Sequence, residues 1–233
     1  NKKMDLEEIK QKMFEKLKPN GWDKILKSFI FSSEFDDILT KLWTLSESDK
    51  RFTPPLKQVF RAFEECPYHE LKIVMIGQDP YPQLGVADGI AFSCGNTLTE
   101  QPSLRFLFNG VEENYPHRYE RNCDLTRWSN QGILMLNTAL TTEVGQIGGH
   151  YDIWKPFTAY LLDTLNNHNK GLIYVYMGKK AEDWSNLTND NNYRFYVKHP
   201  ASAAYNGSKW DCDDIFNKIS VLVKENYNQT ITW

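Results

Sequence analysis

Four short apolar runs alternate with helical patterns along this chain, and the alternation limits the folds that it can adopt. The runs are rich in β-branched and aromatic residues, as β-strands are, and they cover residues 71–76, 133–136, 172–177 and 193–197. Segments with apolar residues at helical spacing separate them, at residues 56–65, 102–111, 154–166 and 213–224. Two of the runs are almost continuously apolar, which is typical of parallel strands covered on both faces. We therefore predict an α/β protein with three layers, α/β/α, around a central four-stranded, mainly parallel sheet.

The composition is that of a folded protein with ample apolar material. Of the 233 residues, 41% are apolar and 14% are aromatic. No repeat, low-complexity tract or linker divides the chain, so we predict a single domain over residues 1–233, with an N-terminal helical part at 1–50. No apolar run reaches the length of a membrane span, and residues 1–8 lack the apolar stretch of a secretion signal. We expect an intracellular monomer in the cytoplasm, or in the nucleus of a eukaryotic cell, without membrane contact.

The cysteines and histidines show no pattern of metal ligands. Neither a Cys-x-x-Cys pair nor a His-Glu-x-x-His segment occurs. The cysteines, which we expect to be reduced thiols, are Cys66, Cys94, Cys123 and Cys212, and the histidines are His69, His117, His150, His168 and His199. We therefore predict no metal site. The net charge of −3 argues against a protein that coats DNA, although a local basic face is compatible with it.

Polar or conformationally special residues follow each predicted strand at once. Gly77–Pro82 follows the first strand and holds Asp79 between Gln78 and a proline, whose ring restricts the backbone before it. After the other three strands come Asn137, Gly178–Lys180 and Lys198–Pro200. In a parallel sheet these groups lie at one edge, where open α/β folds build their sites. A carboxylate, an amide and an imidazole at this edge predict a functional site.

Several of these residues stand in motifs that resemble those of a known family. Gln78–Tyr81 and Gly89–Ser93, with Phe92 standing 13 positions after Asp79, resemble the first signature of the uracil-DNA glycosylases. Gly132–Asn137 resembles the strand that ends in the family's uracil-reading asparagine, and His199–Pro200 is similar to the opening of its second signature. Further segments that fall in family order are Thr53–Pro55, Pro102–Leu104, Asp124–Trp128 and Ile231–Trp233. The resemblance runs from about residue 20 to the end of the chain.

The resemblance implies hydrolysis, without a cofactor, of the bond that joins uracil to deoxyribose, after the nucleotide is flipped out of the DNA. It implies that Asp79 stabilises positive charge on the sugar and orients the attacking water. It implies that His199, as a neutral imidazole, hydrogen-bonds uracil O2 while negative charge builds on the departing base. Taken alone, an aspartate in a proline-containing loop is more often part of a turn, and a histidine before a proline has no assigned role.

The resemblance also assigns the contacts with the base and with the DNA backbone. Asn137 would pair with uracil N3–H and O4, Phe92 would stack on the base, and Tyr81 would exclude the methyl group of thymine. Gln78 would contribute backbone contacts in the pocket. Pro54, Pro55, Pro102 and Ser103 resemble loops that pinch the DNA backbone. The structural alternatives are a strand-end amide for Asn137 and a core aromatic for Phe92. For the proline segments the alternative is a helix start, in which Ser103 is a cap.

The second signature departs from the family pattern. It reads His199-Pro200-Ala201-Ser202-Ala203-Ala204, where Ala203 takes the place of the leucine that fills the gap left by the flipped base. Alanine is too short to fill that gap, and Ala201 replaces a serine. Tyr205 is a candidate substitute for the leucine after a shift of register. We assign Ser202, Ala203 and Tyr205 to the DNA contact.

Two more departures lie near the first signature. Pro82 stands where most members have a histidine, and Asp88 is expected to add negative charge near the DNA path. The basic residues that could compensate for this charge are Lys179, Lys180, Arg194, Lys198 and Lys209.

Two hypotheses of different class follow. The first is an active uracil-DNA glycosylase of base excision repair, which prefers single-stranded DNA because an unpaired base needs no wedge. Its partners are uracil-containing DNA and a protein inhibitor that imitates DNA. The alternative is a catalytically weakened glycosylase fold that binds DNA or protein in a viral or mobile-element replication system, as the altered second signature and the acidic total charge suggest. A changed base preference is disfavoured, because Tyr81 and Asn137 both suit uracil.

Overall fold

A computed structural model describes residues 4–115, 118–188, 191–207 and 209–233. His117 and residues 1–3 of the predicted N-terminal part therefore lie outside the described residues. The strands within these ranges are β1 (Phe52–Thr53), β2 (Ile73–Gly77), β3 (Ile133–Asn137), β4 (Thr142–Glu143), β5 (Ile173–Met177) and β6 (Tyr193–Val197). The α-helices are α1 (Leu6–Leu17), α2 (Asp23–Ile30), α3 (Ser33–Glu47), α4 (Arg61–Glu64), α5 (Pro102–Glu112), α6 (Thr126–Ser129), α7 (Tyr151–His168), α8 (Lys179–Glu182), α9 (Pro200–Asn206) and α10 (Ile215–Tyr227).

The central sheet has the four predicted strands in the order β3-β2-β5-β6. All three neighbouring pairs run parallel, with Gly77 opposite Asn137 at the ends of β2 and β3. Parallel strands need long crossovers, which here contain the helices. The prediction of an α/β fold with a four-stranded parallel sheet is confirmed. A second, antiparallel sheet pairs β1 with β4, and its two-residue strands are too short to show in a sequence pattern.

Alternate residues of each central strand enter two separate cores. On β2, Val74 and Ile76 pack into one core with α1–α3 and α7, whereas Ile73 and Met75 pack into the other with α5, α6 and α10. Because side chains alternate across a strand, both faces of the sheet must be apolar when both are covered. The three layers, α/β/α, follow from this pattern.

The helices differ from the predicted ones at several places. The segment predicted as one helix over 56–65 is a 3-10 turn, Leu56–Gln58, followed by the short α4. Ser103 does not cap α5, because Gln101 is the N-cap residue and Pro102 is the first helical residue. Helix α7 begins three residues earlier than predicted, and α6, α8 and α9 were not predicted at all. All three missed helices are too short for a recognisable periodicity. Among the described residues, no helix has the length and apolar character needed to cross a bilayer.

Candidate active site

The carboxyl ends of the parallel strands surround a cavity of about 350 Å³. Its lining includes the predicted residues Gln78, Asp79, Tyr81, Phe92, Pro102, Ser103, Asn137, His199 and Tyr205. Asn137 ends β3, while Asp79 and His199 each stand two residues beyond the end of β2 and β6. The parallel order of the strands therefore brings together side chains that are up to 120 positions apart in sequence.

Asp79 faces the cavity from the loop that follows β2. Its Oδ2 accepts a hydrogen bond of 2.6 Å from the backbone N–H of Gly148. Burial raises the pKa of the Asp79 carboxyl, and the hydrogen bonds from Gly148 and from the hydroxyls of Thr142 and Tyr151 oppose this shift. A carboxylate that is poorly hydrated and held by fixed donors can interact strongly with a positive charge in the cavity.

Asn137 and Phe92 converge on the cavity beside Gly77. A Cβ atom on Gly77 would lie 2.8 Å from Asn137 Oδ1 and 3.2 Å from the Phe92 ring, so only glycine leaves room for both. None of the described residues hydrogen-bonds to the Asn137 side chain, whose amide can therefore bind a ligand. An amide beside an aromatic face suits a planar, polar ring.

The backbone of Phe92 has an uncommon conformation. Its φ of +68° lies in the left-handed region, which bulky residues rarely adopt. The Tyr81 hydroxyl donates a hydrogen bond of 2.7 Å to the Phe92 carbonyl. The Gln78 carbonyl accepts from Ala139 N at 3.1 Å and from Thr138 Oγ1 at 2.8 Å, which joins the loops that follow β2 and β3.

His199 is held as a neutral imidazole with a defined tautomer. Its Nδ1 accepts a hydrogen bond of 3.0 Å from the backbone N–H of Ala201, at the start of α9. Burial lowers the pKa of His199 to about 4. The Nδ1 atom therefore carries no proton at neutral pH, and the ring hydrogen must be on Nε2. The ring lies beside Phe92, with 5.4 Å between the ring centroids.

Because the second signature forms helix α9, the residues that face the cavity differ from the predicted ones. Ala201, Ala204 and Tyr205 line the cavity, whereas Ala203 is 3% exposed and packs into the core on the opposite side of the helix. Ala203 therefore does not stand at the surface where a wedge is needed. Tyr205 is 79% exposed. Ser202 Oγ donates to the His199 carbonyl at 2.8 Å, inside the turn.

The two predicted DNA-contacting loops differ in their position. Pro102 and Ser103 line the cavity at the beginning of α5. Pro54 is buried and Pro55 is exposed, and neither lines the cavity. The expectation that Asp88 adds negative charge near the DNA path was wrong. Asp88 is fully buried and ion-paired with Arg61, so it adds no exposed charge near the cavity.

The predicted basic residues have partners with one exception. Lys179 pairs with Asp183, Lys209 pairs with Glu113, and the Lys180 ammonium lies 5.0 Å from the centroid of the Tyr151 ring. Arg194 donates to the Thr188 carbonyl. Lys198 is exposed and has no ion pair with any described residue.

Sequence reasoning missed the loop at residues 144–149. It supplies the N–H of Gly148 to Asp79 and places the exposed side chain of Ile147 in the cavity lining. The Gly148-Gly149 pair before a helical pattern was its one local signal. In the described part of the chain, no three His, Cys, Asp or Glu side chains come close enough together to hold a metal ion.

Comparison with known proteins gives matches over nearly the whole chain. The family model described as the uracil DNA glycosylase superfamily matches residues 63–220. A protein named uracil-DNA glycosylase from Acinetobacter baumannii strain SDF is 30% identical, over 99% of this chain and 98% of the relative. One with the same name from Fusobacterium nucleatum is 32% identical, over 92% of this chain and 95% of the relative.

The chain belongs to the uracil-DNA glycosylase superfamily. The crystal structure of mimivirus uracil-DNA glycosylase shares the fold, with a TM-score of 0.81 and 24% identity over 94% of this chain and 88% of that one. The structure from Nitratifractor salsuginis has a TM-score of 0.61 and 18% identity, over 96% of this chain and 98% of that one. The prediction that the chain is a glycosylase, a hydrolase of the uracil-DNA glycosylase family, is confirmed. The roles of the individual residues stay predictions.

Proposed function

We propose that this protein hydrolyses the N-glycosidic bond of deoxyuridine in DNA, releasing uracil and leaving an abasic site for base excision repair. The observation that carries the proposal is that Asp79, Phe92, Asn137 and His199 line one cavity. The volume of about 350 Å³ is within the range of small-ligand sites. Relatives that match over 98% and 95% of their length and carry the name uracil-DNA glycosylase support it.

Asn137, Phe92 and Tyr81 would choose the base. The Asn137 amide offers an acceptor to uracil N3–H and a donor to O4, whereas cytosine presents the opposite pattern. Phe92 would stack on the pyrimidine face. The Tyr81 ring is fixed by its bond to the Phe92 carbonyl, so it would exclude a C5 methyl group.

Asp79 and His199 would stabilise the two charges that develop as the bond breaks. The sugar gains positive character, which the Asp79 carboxylate would stabilise while it orients the water. The base gains negative character, and the Nε2–H of the neutral His199 would donate to uracil O2. Because Nδ1 of His199 accepts from Ala201, the only N–H of the neutral imidazole is on Nε2, and it has no hydrogen-bond partner among the described residues.

Tyr205 would take the wedge role that Ala203 cannot fill. A cavity that holds one base requires the nucleotide to leave the stack, and unstacking costs a few kcal/mol. Tyr205 is the large apolar side chain that α9 presents at the cavity mouth. Ser103, with the first N–H groups of α5, would contact a phosphate, and the Pro54-Pro55 segment would contact the backbone further from the cavity.

We also propose a preference for single-stranded DNA. An unpaired uracil needs no wedge. In a duplex, by contrast, Tyr205 is the one large apolar side chain that α9 offers for this role. Rates on matched single- and double-stranded oligonucleotides with one uracil test this. Equal or faster release from the duplex would contradict the preference.

Uracil release by the wild-type protein and by Asp79→Asn tests the activity itself. The substitution removes the charge beneath the sugar but keeps the shape, so release should fall by roughly 100- to 1000-fold. Asp152→Asn is a matched control, because the Asp152 side chain is 96% exposed. Unchanged release by Asp79→Asn would refute its role. DNA binding without any uracil release by the wild type would instead favour the non-enzymatic DNA-binding module.

Uracil-containing DNA is the proposed substrate, and a protein that imitates DNA is a second proposed partner. A tyrosine-to-leucine variant of the mimivirus enzyme, with 24% identity and a TM-score of 0.83 to this chain, was solved in complex with UGI, which supports this partner class. The single domain, the monomeric state and the intracellular location stay predictions.

A further inference from the structure

Asp88 is a fully buried carboxylate that holds a loop beside the cavity. Its Oδ1 accepts a hydrogen bond of 3.0 Å from the N–H of Ile90. Its Oδ2 accepts from Ser93 Oγ at 2.6 Å and from the N–H of Gly95 at 2.8 Å. A carboxylate is an acceptor at every lone pair, so one side chain can bind several donors of one loop. These hydrogen bonds hold residues 90–95 around the Asp88 carboxylate.

Phe92 stands inside this loop with its backbone in the left-handed region. A bulky residue keeps such a conformation only where its surroundings hold it. The Tyr81 hydroxyl binds the Phe92 carbonyl at 2.7 Å, and the N–H of Ala91 donates to Met135 O of the sheet at 3.1 Å. The bonds to Asp88 hold the residues on both sides of Phe92. The position of the ring therefore depends on Asp88 as well as on the sheet.

Arg61 and Leu125 connect this loop to the helices. The Arg61 guanidinium lies 3.3 Å from Asp88 Oδ2 and donates to Thr126 Oγ1 at 2.9 Å. Ser93 Oγ, which donates to Asp88, accepts from the N–H of Leu125 at 3.0 Å. The carboxylate thus has a charged partner on α4, and Arg61 and Ser93 link it to the start of α6. A buried network with every member satisfied is rigid.

The same loop touches the segment that follows Pro54 and Pro55. Gly89 lies so close to Gln58 that a Cβ atom there would be 1.8 Å from its carbonyl oxygen. The side-chain amides of Gln58 and Asn96 form two reciprocal hydrogen bonds of 3.0 Å. The loop is therefore fixed between the sheet and the segment that directly follows Pro54 and Pro55, which are proposed to contact the DNA backbone.

We propose that Asp88 is a positioning residue, which fixes Phe92 where its ring lies against His199 and beside Gly77, and so determines where the flipped base stacks. This inference rests on the proposed function. It assigns Asp88 no contact with the substrate, because the carboxylate is fully buried. Loss of its hydrogen bonds would let Phe92 leave the left-handed region, which is intrinsically unfavourable for it.

The test is Asp88→Asn combined with Phe92→Ala. A misplaced ring impairs orientation of the base, and a misplacement near 1 Å can cost about 100-fold in rate. Asp88→Asn alone should therefore lower kcat for a single-stranded uracil oligonucleotide by roughly 10- to 100-fold, with Kd changed less than about 3-fold. In the Phe92→Ala background, where no ring remains to be positioned, the same substitution should cost less than about 3-fold.

Asp36→Asn is the matched control. It also removes a carboxylate from a buried partner, because Asp36 Oδ1 lies 2.7 Å from the ammonium of the buried Lys10, in a region remote from the cavity lining. It should lower Tm and leave kcat at the wild-type value. Additive losses in the double variant, or a kcat loss equal to that of Asp36→Asn, would show a purely structural role and overturn the inference.

Two measurements keep the test decisive. If Asp88→Asn does not fold, Ser93→Ala removes one donor to Asp88 and should show the same non-additivity with Phe92→Ala at a smaller loss; additivity would overturn the inference. Hydrogen exchange at the amides of Ile90 and Gly95 should become faster in either variant, independently of catalysis. Unchanged exchange refutes the positioning role even if uracil is released. Absence of uracil release by the wild type refutes only the proposed function.

Discussion

His199→Asn should change how the stability of this protein depends on pH. The asparagine side-chain oxygen can accept the hydrogen bond from Ala201 N, as Nδ1 does now, and asparagine is a favourable N-cap for α9. The substitution therefore keeps the cap and removes the titrating ring. The smaller volume of the asparagine side chain changes stability by the same amount at every pH. The pH-dependent part of the difference in free energy of unfolding therefore reports the imidazole alone.

The magnitude follows from the pKa values of His199 in the two states. Burial lowers the pKa in the folded state to about 4, from 6.5. Between these pH values the unfolded chain binds a proton that the folded chain does not, so the folded state loses stability as pH falls. The contribution is fully present above pH 6.5 and is lost progressively towards pH 4. Its limit is about 3 kcal/mol, and about 2 kcal/mol of it should be lost at pH 5.

Urea denaturation at about pH 8 and about pH 5 measures the difference. The free energy of unfolding of the wild type should fall by about 2 kcal/mol more than that of His199→Asn. His150, whose pKa burial also lowers, is present in both proteins and cancels. His69→Asn is the control, because the His69 side chain is 79% exposed and stays solvated in both states. Parallel pH dependence of the wild type and His199→Asn would refute a buried, neutral imidazole.

Two further substitutions test the base pocket and its mouth. Gly77→Ala places a methyl group 2.8 Å from Asn137 Oδ1 and 3.2 Å from the Phe92 ring, so uracil release should fall by about 100-fold or more. Gly149→Ala, whose Cβ would meet no atom within 4 Å, should release uracil at the wild-type rate; equal losses would contradict the clash. Tyr205→Ala should raise Kd for a uracil-containing duplex by roughly 10-fold and Kd for the single strand by less than about 3-fold. Equal losses on both DNA forms would contradict a wedge.

The sheet and its carboxyl edge could be predicted because they depend on local patterns. Apolar runs such as 172–177 show β-branched and aromatic residues regardless of their partners, and helical segments between them favour parallel pairing, which needs long crossovers. Once the strands are parallel, Asp79, Asn137 and His199 must lie at one edge. The convergence of distant residues therefore follows from topology and needs no knowledge of the loops.

The loops could not be predicted, because their conformations depend on residues remote in sequence. The burial of Asp88 requires Arg61, which is 27 positions away. The left-handed backbone of Phe92 has no signal in its own residue type, since bulky residues disfavour it. The orientation of Ala203 required knowing that the second signature forms a helix, in which one face packs on the core and the next residues face the cavity.

The residues that match the family pattern and those that depart from it have different tasks in the proposed function. The matching residues contact the base, and the departures affect contacts with phosphate and the wedge. In the proposed function, Asn137 presents an acceptor and a donor in one order to distinguish uracil, so few side chains could replace it. Phosphate contacts carry no sequence information and can come from many hydroxyl or N–H groups, so the loss of a serine at Ala201 can be compensated nearby. A wedge needs only bulk at the cavity mouth, which Tyr205 would supply from the side of α9 opposite to Ala203. We therefore expect the altered second signature to change how strongly duplex DNA is opened and to leave the choice of base unchanged.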